Sequence, residues 1–225
     1  MTGTEKALSS IASMHTGDHY CGIYRTEEDH RALVIDFIRH GIERGEKIFY
    51  IVNIQTAAQL KATLAAGGVD AEALTHKGQL VILTAKEAYL KGGEFDPDKM
   101  IKLLQSETAK ALEEGYQALR VTGEMTWALA GEPGSERLIE YESKLNQFFP
   151  DSKCYAMCQY DQRRFDSELL LDILQTHPKV LFGLKDLDNS SMYFIPPESF
   201  LGSDRQSAVL DRWLENLSNR KHQTA

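Results

Sequence analysis

The chain has 225 residues, 42% hydrophobic and 26% charged, with a net charge of -8, a composition that excludes wholesale disorder, collagen-like repeats and coiled-coil rods. The acidic excess argues against direct nucleic-acid binding, which requires clustered Lys and Arg. Three cysteines cannot form a disulfide framework, residues 1–10 contain no signal-peptide-like run, and no stretch is apolar enough to span a membrane, so we expect a cytoplasmic protein with no membrane partner.

Strand and helix patterns alternate from residue 19 onward. Short aromatic and β-branched runs predict strands, in chain order, over residues 19–24, 47–52, 80–83, 118–122, 154–160, 180–184 and 192–195. Apolar residues at helical spacing predict helices over residues 28–44, 56–66, 96–112, 135–149, 166–176 and 203–220. In the third of these helices, the expected inner stripe is Met100, Ile101, Leu104 and Leu112.

This alternation predicts an α/β domain whose mostly parallel sheet is covered by helices on both faces. We expect the domain to occupy residues 1–202, followed by a C-terminal amphipathic helix and tail over residues 203–225. The apolar stripe of that helix consists of Val209, Leu210, Trp213, Leu214 and Leu217. A single stripe is compatible with docking back onto the sheet domain and with packing against a partner or a second copy of the chain.

The loop after the first strand, residues 25–31, is where a nucleotide-binding protein of this class would hold phosphates. It contains no glycine and no Gly-Lys-Ser/Thr ending. Its three consecutive acids, Glu27, Glu28 and Asp29, would repel a triphosphate. We therefore expect neither tight ATP binding nor ATP hydrolysis.

Carboxylates elsewhere in the chain are open to more than one interpretation. Glu124 follows the fourth strand, where it could hold a metal ion or activate a water molecule. Alternatively, it could cap the following loop while Trp127 fills a gap, and we favour this interpretation. Glu140 and Glu142 are two residues apart on a helix, so they should face different ways. We expect both to be solvated.

His19 and Cys21 project from the same face of the first strand, about 6 to 7 Å apart at Cα. That separation suits two ligands of one transition metal ion, although a zinc site needs further ligands. It is also compatible with a buried Cys beside a hydrogen-bonded His. Cys158 could join them only if its strand lies beside the first. Cys154 lies about 13 Å from Cys158 along the same strand, too far for a disulfide. His177 precedes a proline between a helix and a strand and is expected in an ordinary turn.

A set of short motifs in a fixed order resembles the methanogen/methylotroph sensory (MEDS) domain over approximately residues 15–200. The motifs are HYCGIY at 19–24, GEKIFYI at 45–51, GEMTW at 123–127, YE at 141–142, CQYD at 158–161 and HP at 177–178. The family looks like a degenerate relative of RecA/KaiC-type ATPases. The resemblance therefore implies a RecA/KaiC-like three-layer sandwich without a functional phosphate loop.

The resemblance also implies a non-catalytic sensor of small hydrocarbon derivatives such as methanol, methylamine or halomethanes. It assigns contact with the ligand, or with a bound transition metal ion, to His19 and Cys21. Further ligand-binding candidates, from positions on and after the strands, are Tyr24, Glu124, Trp127, Cys158, Tyr160 and Asp161. The expected partners are the small molecule and a signalling protein, either a kinase or a transcription regulator, or a second copy through the C-terminal helix. Two rival functions stay open, namely a KaiC-like nucleotide-binding ATPase or switch and an interaction adaptor without a ligand.

Overall fold

A seven-stranded sheet organises the chain in a computed structural model that describes residues 11–183 and 185–220. The strands are β1 His19–Tyr24, β2 Lys47–Val52, β3 Leu80–Thr84, β4 Leu119–Glu124, β5 Cys154–Asp161, β6 Lys179–Phe182 and β7 Lys185–Asp188. Their order across the sheet is β3-β2-β4-β5-β1-β6-β7. All neighbouring pairs are parallel except β6 with β7, so the predicted mostly parallel sheet is confirmed.

Helices connect the strands and flank the sheet. They are α1 Glu27–Glu43, α2 Ala57–Ala66, α3 Ala71–Lys77, α4 Pro97–Glu113, α5 Leu138–Phe148, α6 Ser167–Thr176, α7 Pro197–Phe200 and α8 Arg205–Arg220, with 3₁₀ turns at Met125–Ala130 and Ser135–Arg137. Local sequence fixes several starts: the Asp96 and Asp166 side chains accept hydrogen bonds from backbone N–H groups in the first turns of α4 and α6. Among the described residues, no helix is long and apolar enough to cross a membrane.

The helices form two layers, with α1–α3 on one face of the sheet and α4–α6 on the other. Alternation along β1 shows this directly. Cys21 belongs to the core that contains Leu145 of α5 and Ile173 of α6, whereas neighbouring Tyr20 packs with Phe37 of α1. Central strands covered on both faces read as continuous apolar runs. The result is the expected three-layer sandwich.

A buried charge network joins three strands to α1. The Arg120 guanidinium on β4 is fully buried and donates to Glu46 Oε2 at 2.6 Å and to the Phe37 carbonyl at 3.1 Å. The Tyr155 hydroxyl on β5 donates to the same Glu46 oxygen at 2.5 Å. Because Glu46 precedes β2, this network fixes the amino ends of β2, β4 and β5 relative to one another.

The structure corrects three predicted elements. The predicted strand at 192–195 is not a strand; the chain turns there, and the second strand of the hairpin is β7, which pairs antiparallel with β6 after Gly183 at φ 57°. The Asn189 side chain holds this turn by donating from Nδ2 to the carbonyls of Leu174 and His177 at 2.6 and 2.8 Å. Helix α3, capped by Asp70, was not predicted.

Leu112 is the third correction, because it is 43% exposed and is not part of the inner stripe of α4. Its neighbour Ala111 is buried in its place. The predicted C-terminal helix is confirmed as α8, which begins at Arg205 rather than Ser203. Residues 1–10 and the tail 221–225 lie outside the described residues, and the domain division at residue 202 stays a prediction.

Candidate functional site

The order of the strands decides which side chains meet. β1 lies between β5 and β6, and its parallel pairing with β5 sets Cys21 opposite Cys158. Both side chains, and that of His19, lie on the face covered by α5 and α6. The condition for Cys158 to join the first-strand pair is therefore met.

Four side chains with metal-binding chemistry converge between the sheet and these two helices. His19 comes from β1, Cys158 from β5 and Glu142 from α5, while His177 is the residue that ends α6. Each offers one ligand atom, and the four atoms all lie within 4.8 Å of one another. All four residues are buried. We call this group the His/Glu/Cys/His cluster.

Glu142 is the centre of the cluster. Its Oε2 lies 3.1 Å from His19 Nε2, 3.3 Å from His177 Nε2 and 3.4 Å from Cys158 Sγ. Cys158 Sγ is 3.8 Å from His19 Nε2. The other carboxylate oxygen, Oε1, accepts a 2.5 Å hydrogen bond from the Tyr160 hydroxyl. One buried carboxylate thus contacts every other member of the group.

The hydrogen bonds around the cluster determine which nitrogen of each imidazole carries the proton. Asn146 Nδ2 donates to backbone carbonyls, including that of Thr176 at 2.7 Å, so its Oδ1 must be the group that accepts from His19 Nδ1 at 3.0 Å. Likewise, His177 Nδ1 donates to the Ile173 carbonyl at 2.8 Å. In a neutral imidazole the other nitrogen is then an acceptor. His19, which burial keeps neutral, therefore turns an Nε2 lone pair toward Glu142.

The electrostatics of the cluster depend on the buried carboxylate of Glu142 and on the two histidines beside it. Burial, reinforced by nearby His177, lowers the pKa of His19 to about 4, so this ring is neutral at pH 7. Burial alone would raise the pKa of Glu142, but His177 and His19 outweigh it and hold that pKa below its usual range. Burial, with the Glu142 charge adding to it, raises the pKa of the Cys158 thiol well above its usual value. The two histidines thus stabilise the ionised form of a carboxylate that is fully buried.

His177 Nε2 is a sign that the cluster is incomplete. Although it lies 3.3 Å from Glu142, it makes no aligned hydrogen bond with any described residue. Buried polar atoms without a partner are rare in native proteins and call for an unseen water, proton or ion. The distances from Glu142 Oε2 to the other three ligand atoms, 3.1 to 3.4 Å, are close to the separation of about 3.3 to 3.7 Å that metal bonds of about 2.0 to 2.3 Å at tetrahedral angles set between ligand atoms.

Cys21 is buried beside this cluster, but its sulfur is not one of the four converging atoms. Burial also raises the pKa of its thiol, and the Glu142 charge adds to that shift. Of the residues predicted from sequence, the structure brings together His19, Cys158 and Tyr160, with Cys21 adjacent.

Two members of the cluster were assigned other roles from sequence. The prediction that Glu142 is solvated is wrong, since it is fully buried; only its neighbour Glu140 is partly exposed, in an ion pair with Arg137. Spacing of two residues shows that two side chains diverge but not which one points inward. A usable signal existed, because Glu142 lies three residues before Leu145 on the buried face of α5. His177 ends its helix as expected, but its ring faces the core, and nothing in the sequence indicated this.

The remaining candidates lie elsewhere. Tyr24, Glu124 and Asp161 line a small cavity of about 80 Å³ at the carboxyl ends of the strands, where Tyr24 stacks on His30 with ring centres 4.3 Å apart. Trp127 lines neither this cavity nor the cluster; it is buried against Tyr89 at 4.7 Å between ring centres. The candidate residues therefore divide between a buried site and a separate site at the edge of the sheet.

Glu124 acts as a cap. Its Oε2 accepts from the backbone N–H groups of Asn53 and Ile54 at 2.9 and 2.6 Å, and its Oε1 accepts from Gln55 Nε2 at 2.6 Å. The loop that it holds follows the neighbouring strand β2, rather than β4, the strand that Glu124 ends. A carboxylate already saturated by donors is a poor general base, so the geometry supports the capping interpretation.

Comparisons with known proteins agree with the fold and with a regulatory role. The chain is 29% identical over 177 residues to the transcriptional repressor DcmR of Methylorubrum extorquens, covering 76% of this chain and 63% of that protein, so it spans less than two thirds of this relative. The crystal structure of a KaiC-like protein from Pyrococcus horikoshii aligns with a TM-score of 0.55 and 14% identity over 74% of this chain and 71% of that one, a likeness that shows the fold alone. The family model described as MEthanogen/methylotroph, DcmR Sensory domain matches residues 18–178, a span that contains the whole His/Glu/Cys/His cluster. The chain therefore belongs to the MEDS family of sensory domains.

Proposed function

We propose that this protein is a non-catalytic sensor whose sensing site is the His/Glu/Cys/His cluster, and that the cluster holds a transition metal ion. One observation carries the proposal: two imidazoles, a thiol and a carboxylate, all buried, each place a ligand atom within 4.8 Å of the others, and His177 Nε2 has no hydrogen-bond partner among the described residues. The regulatory part rests on the family and on the repressor relative.

The donor set favours a borderline metal. Two imidazoles, one thiolate and one carboxylate suit Zn²⁺ and its neighbours better than Mg²⁺ or Ca²⁺, which prefer oxygen ligands alone. Outer partners of the kind that orient metal ligands are present, since Asn146 and the Ile173 carbonyl fix the two rings and Tyr160 fixes the carboxylate. A bound metal would also ionise Cys158, because a coordinating thiol loses its proton.

The ligand we propose is a small hydrocarbon derivative of the one-carbon class. The walls of the cluster support this choice, because the His19 ring packs 5.3 Å from that of Phe149 and Tyr160 packs against Phe165 at 5.1 Å. Aromatic walls suit an apolar molecule of a few atoms and are unsuited to a phosphate ester. A KaiC-like ATPase would instead need a phosphate site at the start of α1. There the Thr26 side chain caps the helix and three acids occupy the first turn.

The decisive experiment is metal analysis of the purified full chain with a matched pair of variants. Cys158→Ser removes a cluster ligand, whereas Cys154→Ser changes a cysteine that is equally buried on the same strand but outside the cluster. We expect about one metal ion per chain in the native protein and in Cys154→Ser, and far less in Cys158→Ser and His177→Gln. Reconstitution with Co²⁺ should give a thiolate-to-metal absorption band that Cys158→Ser lacks. Native protein that takes up no metal, even on reconstitution, refutes the metal part.

A melting-temperature screen tests the ligand part separately. A ligand that prefers the native state must raise the unfolding temperature. We expect methanol, methylamine or dichloromethane to do so in the metal-loaded native protein and not in Cys158→Ser. If the metal is present and none of these compounds changes the melting temperature, the one-carbon ligand is refuted while the metal site stands. The adaptor alternative predicts neither metal uptake nor a ligand response.

A further inference from the structure

The C-terminal helix α8 docks on the protein through its polar side. Arg205 forms an ion pair with Asp172 of α6 and lies over the Phe200 ring at 4.0 Å. Asn216 donates to the Met192 carbonyl in the turn after β7. The partly buried positions of the helix are Arg205, Ala208, Val209, Arg212 and Asn216. Apart from Val209, none of these belongs to the apolar stripe.

The rest of the apolar stripe therefore faces outward. Leu210, Trp213, Leu214 and Leu217 are between 52% and 60% exposed. Docking back onto the domain, one of the two interpretations left open by the sequence, would have covered these side chains. Burial of a large apolar side chain stabilises a protein, so four such side chains left in water are a loss. A helix that instead buries its polar side leaves this surface for another molecule.

We propose that the stripe pairs with the same stripe of a second copy of the chain, the two α8 helices crossing antiparallel about a two-fold axis. The spacing carries this choice, because Leu210, Trp213 and Leu217 repeat at three and four residues, the narrow seam that a second helix fills. An axis between Trp213 and Leu214 sets Leu210 of one copy against the partner's Leu217. The surface is thus complementary to itself, as a two-fold interface requires.

Area and charge support the same occupant. A groove of about 250 Å³ beside the seam is lined by Met192, Tyr193, Trp213, Asn216 and Leu217. Covering the exposed parts of the stripe and of this groove in both copies would bury on the order of 1,000 Å² in total, the lower limit of a specific interface. The seam itself carries no charge, since Arg212 and Glu215 pair with each other at 3.3 Å away from the stripe. The net charge of -8 on each chain is therefore not concentrated where the copies would meet.

The solution mass of the full chain tests the pairing. We expect twice the chain mass of 25.4 kDa at concentrations of about 10 to 100 μM, with dissociation on dilution. Leu210→Ser combined with Leu217→Ser should raise the dissociation constant at least about 100-fold, because both leucines recur in each copy. The matched control is Leu112→Ser on α4, at a leucine of comparable exposure, which should dimerise as the native chain does. A native monomer at these concentrations, or a dimer indifferent to the double substitution, overturns the proposal.

Fluorescence gives a second readout that does not depend on the double variant folding. The chain has two tryptophans, and Trp127 is buried whereas Trp213 is exposed. In Trp127→Phe all tryptophan emission comes from Trp213, so its maximum should move to shorter wavelength as the concentration rises. If the emission maximum stays constant while the chain dimerises, the interface lies elsewhere. If the chain stays monomeric and the maximum moves only when lipid vesicles are added, the stripe binds a membrane surface. Either outcome overturns the pairing. The inference stands on α8 alone, so its failure leaves the proposed sensing site untouched.

Discussion

The buried, neutral state of His19 predicts that the metal-free protein loses stability in mild acid. Burial lowers the pKa of this ring from 6.5 to about 4. Between these values the unfolded chain binds a proton that the folded protein does not, so the free energy of unfolding falls as the pH falls. The loss works out at about 2 kcal/mol between pH 7 and pH 5, and about 3 kcal/mol once the pH is below 4. The carboxyl of Glu142, whose pKa is also lowered, contributes only below its unfolded value of 4.5, and so leaves this window to His19.

The assay is urea unfolding in the presence of a chelator, at intervals from pH 7 to pH 5, for the native chain and two histidine variants. His19→Gln removes the titrating group and should flatten the pH dependence by about 2 kcal/mol. His76→Gln, at an exposed histidine on α3, should leave it as in the native chain. If His19→Gln retains the full native slope, the His19 ring is not held neutral, and the argument for its lone pair facing Glu142 fails. Excess Zn²⁺ should add stability at pH 7 and lose that effect toward pH 5, because protons compete with the metal for its ligands.

Three further outcomes are expected. Titration with a fluorescent ATP analogue and magnesium should show no saturable binding up to about 100 μM. A dissociation constant of that size would require about 5 kcal/mol of binding free energy, which the capped, acidic start of α1 does not provide. Micromolar binding that ATP competes away would contradict this prediction. Glu46→Ala should lower the free energy of unfolding by about 3 to 5 kcal/mol in a urea titration, because it strands the buried Arg120 charge, while adding Arg120→Met should recover much of the loss. Glu124→Ala should lower the melting temperature by releasing the loop after β2, yet leave the metal content unchanged; a metal-free Glu124→Ala would mean that the edge of the sheet and the cluster are one site.

The strands could be predicted well because most are covered on both faces, and such strands must be apolar throughout. That same rule misled at the C-terminal end of the sheet. The segment 192–195 is apolar but turns over Asn189, while the charged segment Lys185–Asp188 forms the edge strand β7, where one side of the backbone is paired and the rest meets solvent. An apolar run in the sequence indicates that a segment is buried. At the edge of a sheet a segment can pair as a strand without being buried, so apolarity no longer identifies the strand.

The candidate site could be predicted only in part because its members come from four separate elements. Spacing along β1 placed His19 and Cys21 on one face, but the sheet order that brings β5 alongside depends on long-range packing that no local pattern encodes. Glu142 was missed for a different reason. A search for an inner face counts apolar residues, and a buried acid is invisible to it until the partners that neutralise it are known.

The side chain of Asn189 connects the His/Glu/Cys/His cluster with the groove beside α8. Its Nδ2 binds the carbonyl of His177, whose ring belongs to the cluster, and its Oδ1 accepts from the N–H of Tyr193, which lines the groove beside α8. The amide is short and planar, so it holds the two backbone segments at a fixed separation. In the sensor proposed above, a shift of the His177 backbone would reach the groove wall through this one amide, without any helix unwinding.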